Sequence, residues 1–262
     1  GYRSVITDLE KQVQERLGLP SSGGLIPMEK KNANILFVAL AGAHSIVNPA
    51  VIFNAAKEDW TLSYFEAVNF GQFLGDPEKM KLIANRIINE AKELNVKEVV
   101  IVECGTAYRI PRFLLGPLPF KVTSLVEVIH RYVKEGRIRL REGAIADSVT
   151  YHDPCQIGRN GGIYDQPREV IQILAKDYRE MSPTREYNWC CGGGGGLVAL
   201  DNEGFRVKSG KPKRDQIVAT GAKMVVTACE NCVSQLETIK SGYGLDVDVK
   251  YFSAIVANNL IV

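Results

Sequence analysis

The spacing of apolar positions changes along the chain, and each change marks an element. Residues 2–17 carry Val5, Leu9, Val13 and Leu17 at intervals of four, the signature of one helical face, and Gly18 and Pro20 end the run. Residues 21–32 mix Ser, Gly, Pro and Lys and read as a linker. From residue 34 onward the pattern becomes short continuous apolar runs at 35–39, 96–102, 148–151, 223–227 and 247–251, of strand length and rich in β-branched residues. Helical stretches separate them: 48–57 with Pro49 in its first turn, 78–94 opened by Asp76-Pro77, 166–176, 229–239 and 253–260. Residues 203–220 are a helix interrupted near Gly210 and Pro212, residues 122–133 run from strand into helix, and residues 110–120, with three prolines, read as irregular. Strand and helix in alternation predict an α/β fold with mainly parallel sheets.

The alternation occurs twice. "VKEVVIVECGTAYR" (96–109) and "AKMVVTACENCVS" (222–234) are both lysine-led strands followed at once by a cysteine, so Cys104 corresponds to Cys229 and Ala107 to Cys232. "AVNFG" (67–71) falls where the second half has "NWCCG" (188–192). The expected organisation is an N-terminal helix and linker (1–32), a first α/β lobe (33–145) and a second lobe (146–262), with the first copy degenerate. The chain opens on Gly1, and the expectation allows for a fragment of a longer protein with a domain upstream.

Composition narrows the classes. The chain has 262 residues, 45% of them hydrophobic and 24% charged, as in a soluble globular protein. Lys and Arg number 32 against 30 Asp and Glu, with no basic run, which offers nothing to nucleic acid. No apolar stretch approaches the roughly 20 residues of a membrane span. The expected location is the cytoplasm, at the cytoplasmic face of a membrane where partner subunits hold it there.

Candidate chemistry lies in the cysteines. Cys155, Cys190, Cys191, Cys229 and Cys232 form the pattern C-x34-CC-x37-C-x2-C, and five glycines follow the adjacent pair. All five fall in connections after strands or before helices, which converge at one edge of an open α/β sheet. Disulfides suit small secreted domains, and this chain is neither small nor signalled for export. The C-x2-C pair alone would suit zinc, a metal of four ligands. An ordinary cubane cluster also takes four cysteines. Five thiolates, two on neighbouring residues, suit a larger or opened iron–sulfur assembly, with Gly192 and Gly193 letting backbone N–H groups approach the sulfurs.

The strings "YHDPC", "WCCGGGGGL" and "ACENC" resemble the CCG domain of heterodisulfide reductase catalytic subunits. "FEAVNFGQFLGD" and "VECGTAYR" look like the D-type and DsrK-type members of that group. The resemblance implies that the five cysteines hold one noncubane [4Fe–4S] cluster, and that the first copy, retaining only Cys104, holds none. It implies reductive cleavage or oxidative formation of a disulfide or trisulfide on a thiol substrate or small thiol carrier protein. It also implies partner redox subunits, one of them in a membrane. Two alternatives stand beside this: an electron-relay subunit as in lactate or glycolate oxidation, and a zinc-binding structural module.

Other residues carry a functional and a bland reading each. Cys104 is a thiol near the cluster or a small buried side chain. His152 is a proton donor or hydrogen-bond partner to a ligand sulfur, or a strand-end residue with a structural bond. His44 lies in the first-copy loop expected at the same edge. Arg109 and Arg112 bind an acidic tail or thiolate, or are solvated. Glu103 and Glu230 suit helix N-termini, and His130 suits packing.

Overall fold

The computed structural model describes residues 2–40, 42–67, 75–194 and 196–262. A first sheet has strands β1 (Ile35–Val38), β2 (Trp60–Leu62), β3 (Glu98–Ile101) and β4 (Lys121–Ser124) in the order β2-β1-β3-β4, every pairing parallel. A second has β5 (Val149–Tyr151), β6 (Met224–Thr227) and β7 (Asp248–Tyr251) side by side, again parallel. The helices are α1 (Tyr2–Leu17), α2 (His44–Ala55), α3 (Pro77–Glu93), α4 (Gly105–Arg109), α5 (Leu125–Lys134), α6 (Asp165–Leu174), α7 (Glu203–Ser209), α8 (Lys211–Thr220), α9 (Glu230–Tyr243) and α10 (Phe252–Ala257). The α/β class and the parallel sheets are as the pattern predicts.

The two halves repeat down to single hydrogen bonds. The Ile35 N–H donates to the Asp59 carbonyl, and in the second half Val149 donates to Asp177. Lys97 and Glu98 both donate to the Asn34 carbonyl, and Lys223 and Met224 both donate to Ser148. A parallel bridge at Tyr178 beside Val149 occupies the place that β2 holds in the first sheet. Parallel strands put the ends leading into α4 and α9 at the same kind of sheet edge, which is what brings the chemistry together. The segment 68–71, matched with the paired cysteines, lies outside the described residues.

Local signals account for most element boundaries. Asp76 caps α3 by accepting from the Lys79 N–H at 3.0 Å, with Pro77 in its first turn. Ser124 and Glu127 form a capping box on α5. The structure departs from the pattern at several points. On α1 the buried face is Ile6, Leu9, Val13 and Leu17, while Val5 is exposed, because a strict spacing of four drifts off a helix with 3.6 residues per turn. The segment 21–32 is not a slack linker: its Pro27 carbonyl accepts from Leu62 at 2.7 Å and extends the edge of β2. The helix expected at 48–57 begins one turn earlier, so Pro49 sits inside it. Residues 110–114 form a π-helical turn carrying Pro111. The short strand β2 passed unnoticed because three residues are too few to show a period.

One apolar cluster runs from Ile6 on α1 through both sheets to Leu260, so both lobes share a core. Phe53 on α2 is wholly buried at its centre, against Phe37 at 5.2 Å, Trp60 at 5.0 Å and Tyr132 at 6.4 Å between ring centroids. A smaller cluster around Leu236 and Ile239 packs the outer side of the second sheet. Phe53→Ala is expected to cost about 3–5 kcal/mol in urea unfolding. A loss below about 1 kcal/mol, the scale of a surface change, would contradict this placement.

Candidate iron–sulfur site

Each cysteine is placed by the end of an element. Cys155 follows β5 through His152, Asp153 and Pro154; the His152 N–H extends the sheet by donating to the Val226 carbonyl, and the Thr227 hydroxyl donates to the His152 carbonyl. Cys229 is the N-cap of α9, and Cys232 lies in that helix's first turn. Cys190 and Cys191 come after a segment held by Arg159, whose guanidinium donates to the carbonyls of Glu186 and Asn188.

The five thiols form one connected chain. Cys155 meets Cys190, Cys190 meets Cys191, Cys191 Sγ lies 3.5 Å from Cys232 Sγ, and Cys232 meets Cys229. Cys190 is exposed, Cys155 and Cys229 are half-buried, and Cys191 and Cys232 are buried. Hydrogen bonds donated by Cys155 and Cys191 push the Cys190 thiol far down, with the Gly192 N–H assisting at 3.4 Å. Cys229 is lowered to about 7, first by Cys232 and then by N–H groups including those of Cys232, Gly105 and Asn231. Cys155, Cys191 and Cys232 are pushed up as the proton-holding members. Cys229 is thus lowered at a helix N-terminus, where the backbone dipole favours negative charge, and Cys190 by its thiol neighbours and the glycine backbone.

The first lobe contributes to this cage without ligands of its own. Cys104 is the buried N-cap of α4, the counterpart of Cys229, and the next residue's N–H is the one aimed at Cys229. A Cβ on Gly105 would stand 2.6 Å from Gln156 Cβ, so only glycine lets this helix end approach the Cys155 loop. Arg109 extends the contact by donating to Gln156 Oε1 at 3.2 Å. The Glu230 N–H donates to the Glu103 carbonyl, tying the ends of β3 and β6 together.

The glycines do more than admit a ligand. Gly192 has φ +86°, and a Cβ there would meet the Ser209 carbonyl oxygen at 2.7 Å; one on Gly193 would meet Gln235 Cβ at 2.6 Å. Gly193 also directs its N–H at Cys191. Both residues thus allow the loop to lie flat on α7 and α9 while its N–H groups face sulfur.

His152 is fully buried, and its Nε2 has no hydrogen-bond partner among the described residues. One imidazole nitrogen of His152 and the sulfurs of Cys191 and Cys232 lie within 4.8 Å of one another. An imidazole with an orphaned nitrogen beside these thiols fits a group that offers sulfur acceptors, and the donor set fits an iron–sulfur cluster. His44 meets the head of α9: its Nε2 bonds Oε2 of Glu230, the residue after Cys229, at 2.7 Å, and its ring stacks on Tyr251 at 4.8 Å. The Glu230 carboxylate raises the His44 pKa against the opposing effect of burial. Glu103 is a buried carboxyl receiving the Ser253 N–H at the start of α10, and burial pushes it up to about 7. Arg112 lies over the Phe113 ring, and His130 bonds Glu169 at the surface.

Three residues that support the site escape a reading of the sequence. Arg168 makes a bidentate pair with Asp153 at 2.7 and 2.8 Å and reaches Glu180 at 2.7 Å, so the loop between His152 and Cys155 is anchored from α6. Lys213 and Asn188 are buried behind His152. Arg168 shares the buried face of α6 with Val170, Ile171 and Leu174, a charge on an apolar stripe that the pattern displays but does not explain.

Residues 149–237 match the family model of the cysteine-rich domain called CCG. The chain carries a CCG domain. It is 29% identical over 87% of its length to the D-type subunit of dihydromethanophenazine:CoB–CoM heterodisulfide reductase from Methanosarcina mazei, covering 56% of that protein. It is 23% identical over 89% of its length to an Hdr-like menaquinol oxidoreductase iron–sulfur subunit from Archaeoglobus profundus, covering 52%. The EtfAB:quinone oxidoreductase of Syntrophomonas wolfei is 28% identical over 62% of the chain and is covered over 24% of its length. The chain thus spans about half the length, or less, of these curated relatives, and it is homologous to iron–sulfur subunits of multi-subunit oxidoreductases. Among the described residues no helix is long and apolar enough to cross a membrane.

Removing the Arg168 guanidinium leaves Asp153 as a buried carboxylate without its cation, a loss of about 3–5 kcal/mol. Arg168→Met is therefore expected to lower the unfolding free energy by that amount and to reduce the iron retained after anaerobic reconstitution. Wild-type stability in a denaturant titration would show that the pair does not anchor the loop.

Proposed function

We propose that this CCG domain acts in an iron–sulfur oxidoreductase component that cleaves or forms a sulfur–sulfur bond of a thiol substrate or small thiol carrier protein. The observation that carries the reading is the connected set of five thiols with an imidazole beside it that has an orphaned nitrogen. Cys155, Cys190, Cys191, Cys229 and Cys232 would hold a noncubane [4Fe–4S] cluster. When bound, that cluster supplies single electrons and a coordination position for sulfur.

In the reductive direction a disulfide takes up two electrons and two protons and leaves as two thiols, with the electrons coming from a partner redox protein. The chain's own groups arrange the rest. Cys190 is the exposed member of the set, so substrate approach is from its side. Gly192, Gly193 and Gly105 present N–H groups that stabilise negative sulfur. The fully buried His152 ring comes within 4.8 Å of the Cys191 and Cys232 sulfurs, and its Nε2, which bonds none of the described residues, would donate to the set. His44, half-exposed and paired with Glu230 next to Cys229 in sequence, would hand a proton to a departing thiolate. Cys104, buried at the head of α4, would belong to the wall that the first lobe contributes. The partners that follow are an electron-delivering redox protein and a membrane component.

The same atoms would also admit zinc through His152, Cys191 and Cys232, so metal analysis comes first. Anaerobic reconstitution is expected to give about four iron and four sulfide per chain, with both lost in Cys191→Ser. Stoichiometric zinc without sulfide would overturn the reading. Adding a thiol substrate to the oxidised protein is expected to produce a new paramagnetic signal; its absence in a fully loaded protein would favour the electron-relay role.

A further inference from the structure

Lys213, on α8, is wholly buried. Its ammonium donates to Asn188 Oδ1 at 2.7 Å and to Gln216 Oε1 at 2.5 Å, and lies 3.6 Å from Met181 Sδ. All three acceptors are neutral, and among the described residues no carboxylate forms an ion pair with it. Asp153, the nearby carboxylate, is already engaged by Arg168. A buried charge without a counter-ion costs several kcal/mol or more. Beyond Asp153, the groups whose charge would act on Lys213 are the thiols of Cys190, Cys191 and Cys232, which become thiolates when they hold a metal group, and Cys190 is already driven that way.

Asn188 connects the two. An ammonium only donates, so Oδ1 of Asn188 must face Lys213, and Nδ2 is turned the other way. There it donates to the Asp153 carbonyl at 3.0 Å and faces His152 Nδ1 at 3.4 Å. An imidazole accepting at Nδ1 carries its proton on Nε2. Nε2 is the orphaned nitrogen, on a ring that comes within 4.8 Å of the sulfurs of Cys191 and Cys232.

We propose that Lys213 is the buried counter-ion of the iron–sulfur group and a positioning residue for it. Through Asn188 it fixes the His152 tautomer that directs an N–H at sulfur, and its own charge favours the reduced, more negative state. This rests on the cluster assignment above. Outer residues of this kind orient ligands and tune a metal centre without touching it.

Two substitutions separate charge from hydrogen bond: Lys213→Gln keeps a donor for Asn188, and Lys213→Met keeps neither. Each would be reconstituted anaerobically, analysed for iron and sulfide, and titrated for midpoint potential by paramagnetic resonance. Both are expected to shift the reduction equilibrium about tenfold toward the oxidised form, or ~59 mV for one electron. The Met variant should also lose the Nε2–H tautomer of His152, read from nitrogen-15 spectra in which the chain's 3 histidines are few enough to assign. Wild-type iron content with wild-type potential in both variants would overturn the proposal. Should neither variant fold, the wild-type spectrum decides: protonation of His152 on Nδ1 refutes the relay. A wild-type chain that binds no iron or sulfide would overturn the cluster assignment and this proposal together, whereas a loaded chain with unshifted variants refutes Lys213 alone.

Discussion

The structure turns on one electrostatic problem: five thiols in mutual contact, with their protons confined to some members and negative charge on the others. Cys190 and Cys229 are the two driven toward thiolate, and each receives backbone N–H groups as well as a neighbour's thiol proton. Such charges are tolerated only where fixed dipoles and cations replace lost water. The N-terminal turn of α9, the head of α4, the Gly192–Gly193 backbone and Lys213 all converge on the set. The shell is therefore complete only when these elements, one of them from the first lobe, are packed together.

Duplication supplies the second half of the answer. The first lobe reproduces the strand order and even the paired N–H donations at Asn34 and Ser148, yet Ala107 stands where a ligand would be. It keeps what a helix N-terminus provides at no cost in side chains, namely an N–H directed outward from the sheet edge. Gly105 turns that donor on Cys229, and the missing Cβ allows the two lobes to close to within contact of Gln156 and Ile157. The first lobe thus has a physical role at the thiol set of the second, as the source of an N–H aimed at Cys229.

Most of the fold was legible because buried parallel strands show as continuous apolar runs and helix starts carry Asp-Pro or Ser-x-x-Glu signals. Convergence of the five cysteines followed from topology, since each stands at a strand end or a helix start. What escaped did so for stated reasons. β2 is three residues long, and the edge contact of Pro27 leaves no periodic trace. Lys213 lies in "SGKPKRD", a stretch that reads as a solvated helix start, and its burial with Gln216 and Ile217 appears only once α8 is packed. The pairing of His44 with Glu230, 186 residues apart in sequence, likewise leaves no trace in the sequence.

The glycine run also changes meaning once packing is known. Five consecutive glycines suggest a backbone made slim for a ligand, but Gly192 and Gly193 are constrained on the opposite side, by Ser209 and Gln235. A larger residue at either position would lift the loop off α7 and α9 before it met anything bound by the sulfurs. That lift would carry away the N–H groups of Gly192 and Gly193, which favour the thiolate forms of Cys190 and Cys191. Gly194 meets nothing within 4 Å, while Gly196 takes a left-handed φ of +83°, so within the described part of the run glycine is required by packing at Gly192 and Gly193 and by backbone conformation at Gly196. The run is therefore first a packing device for the cage, and approach to the bound group follows from that packing.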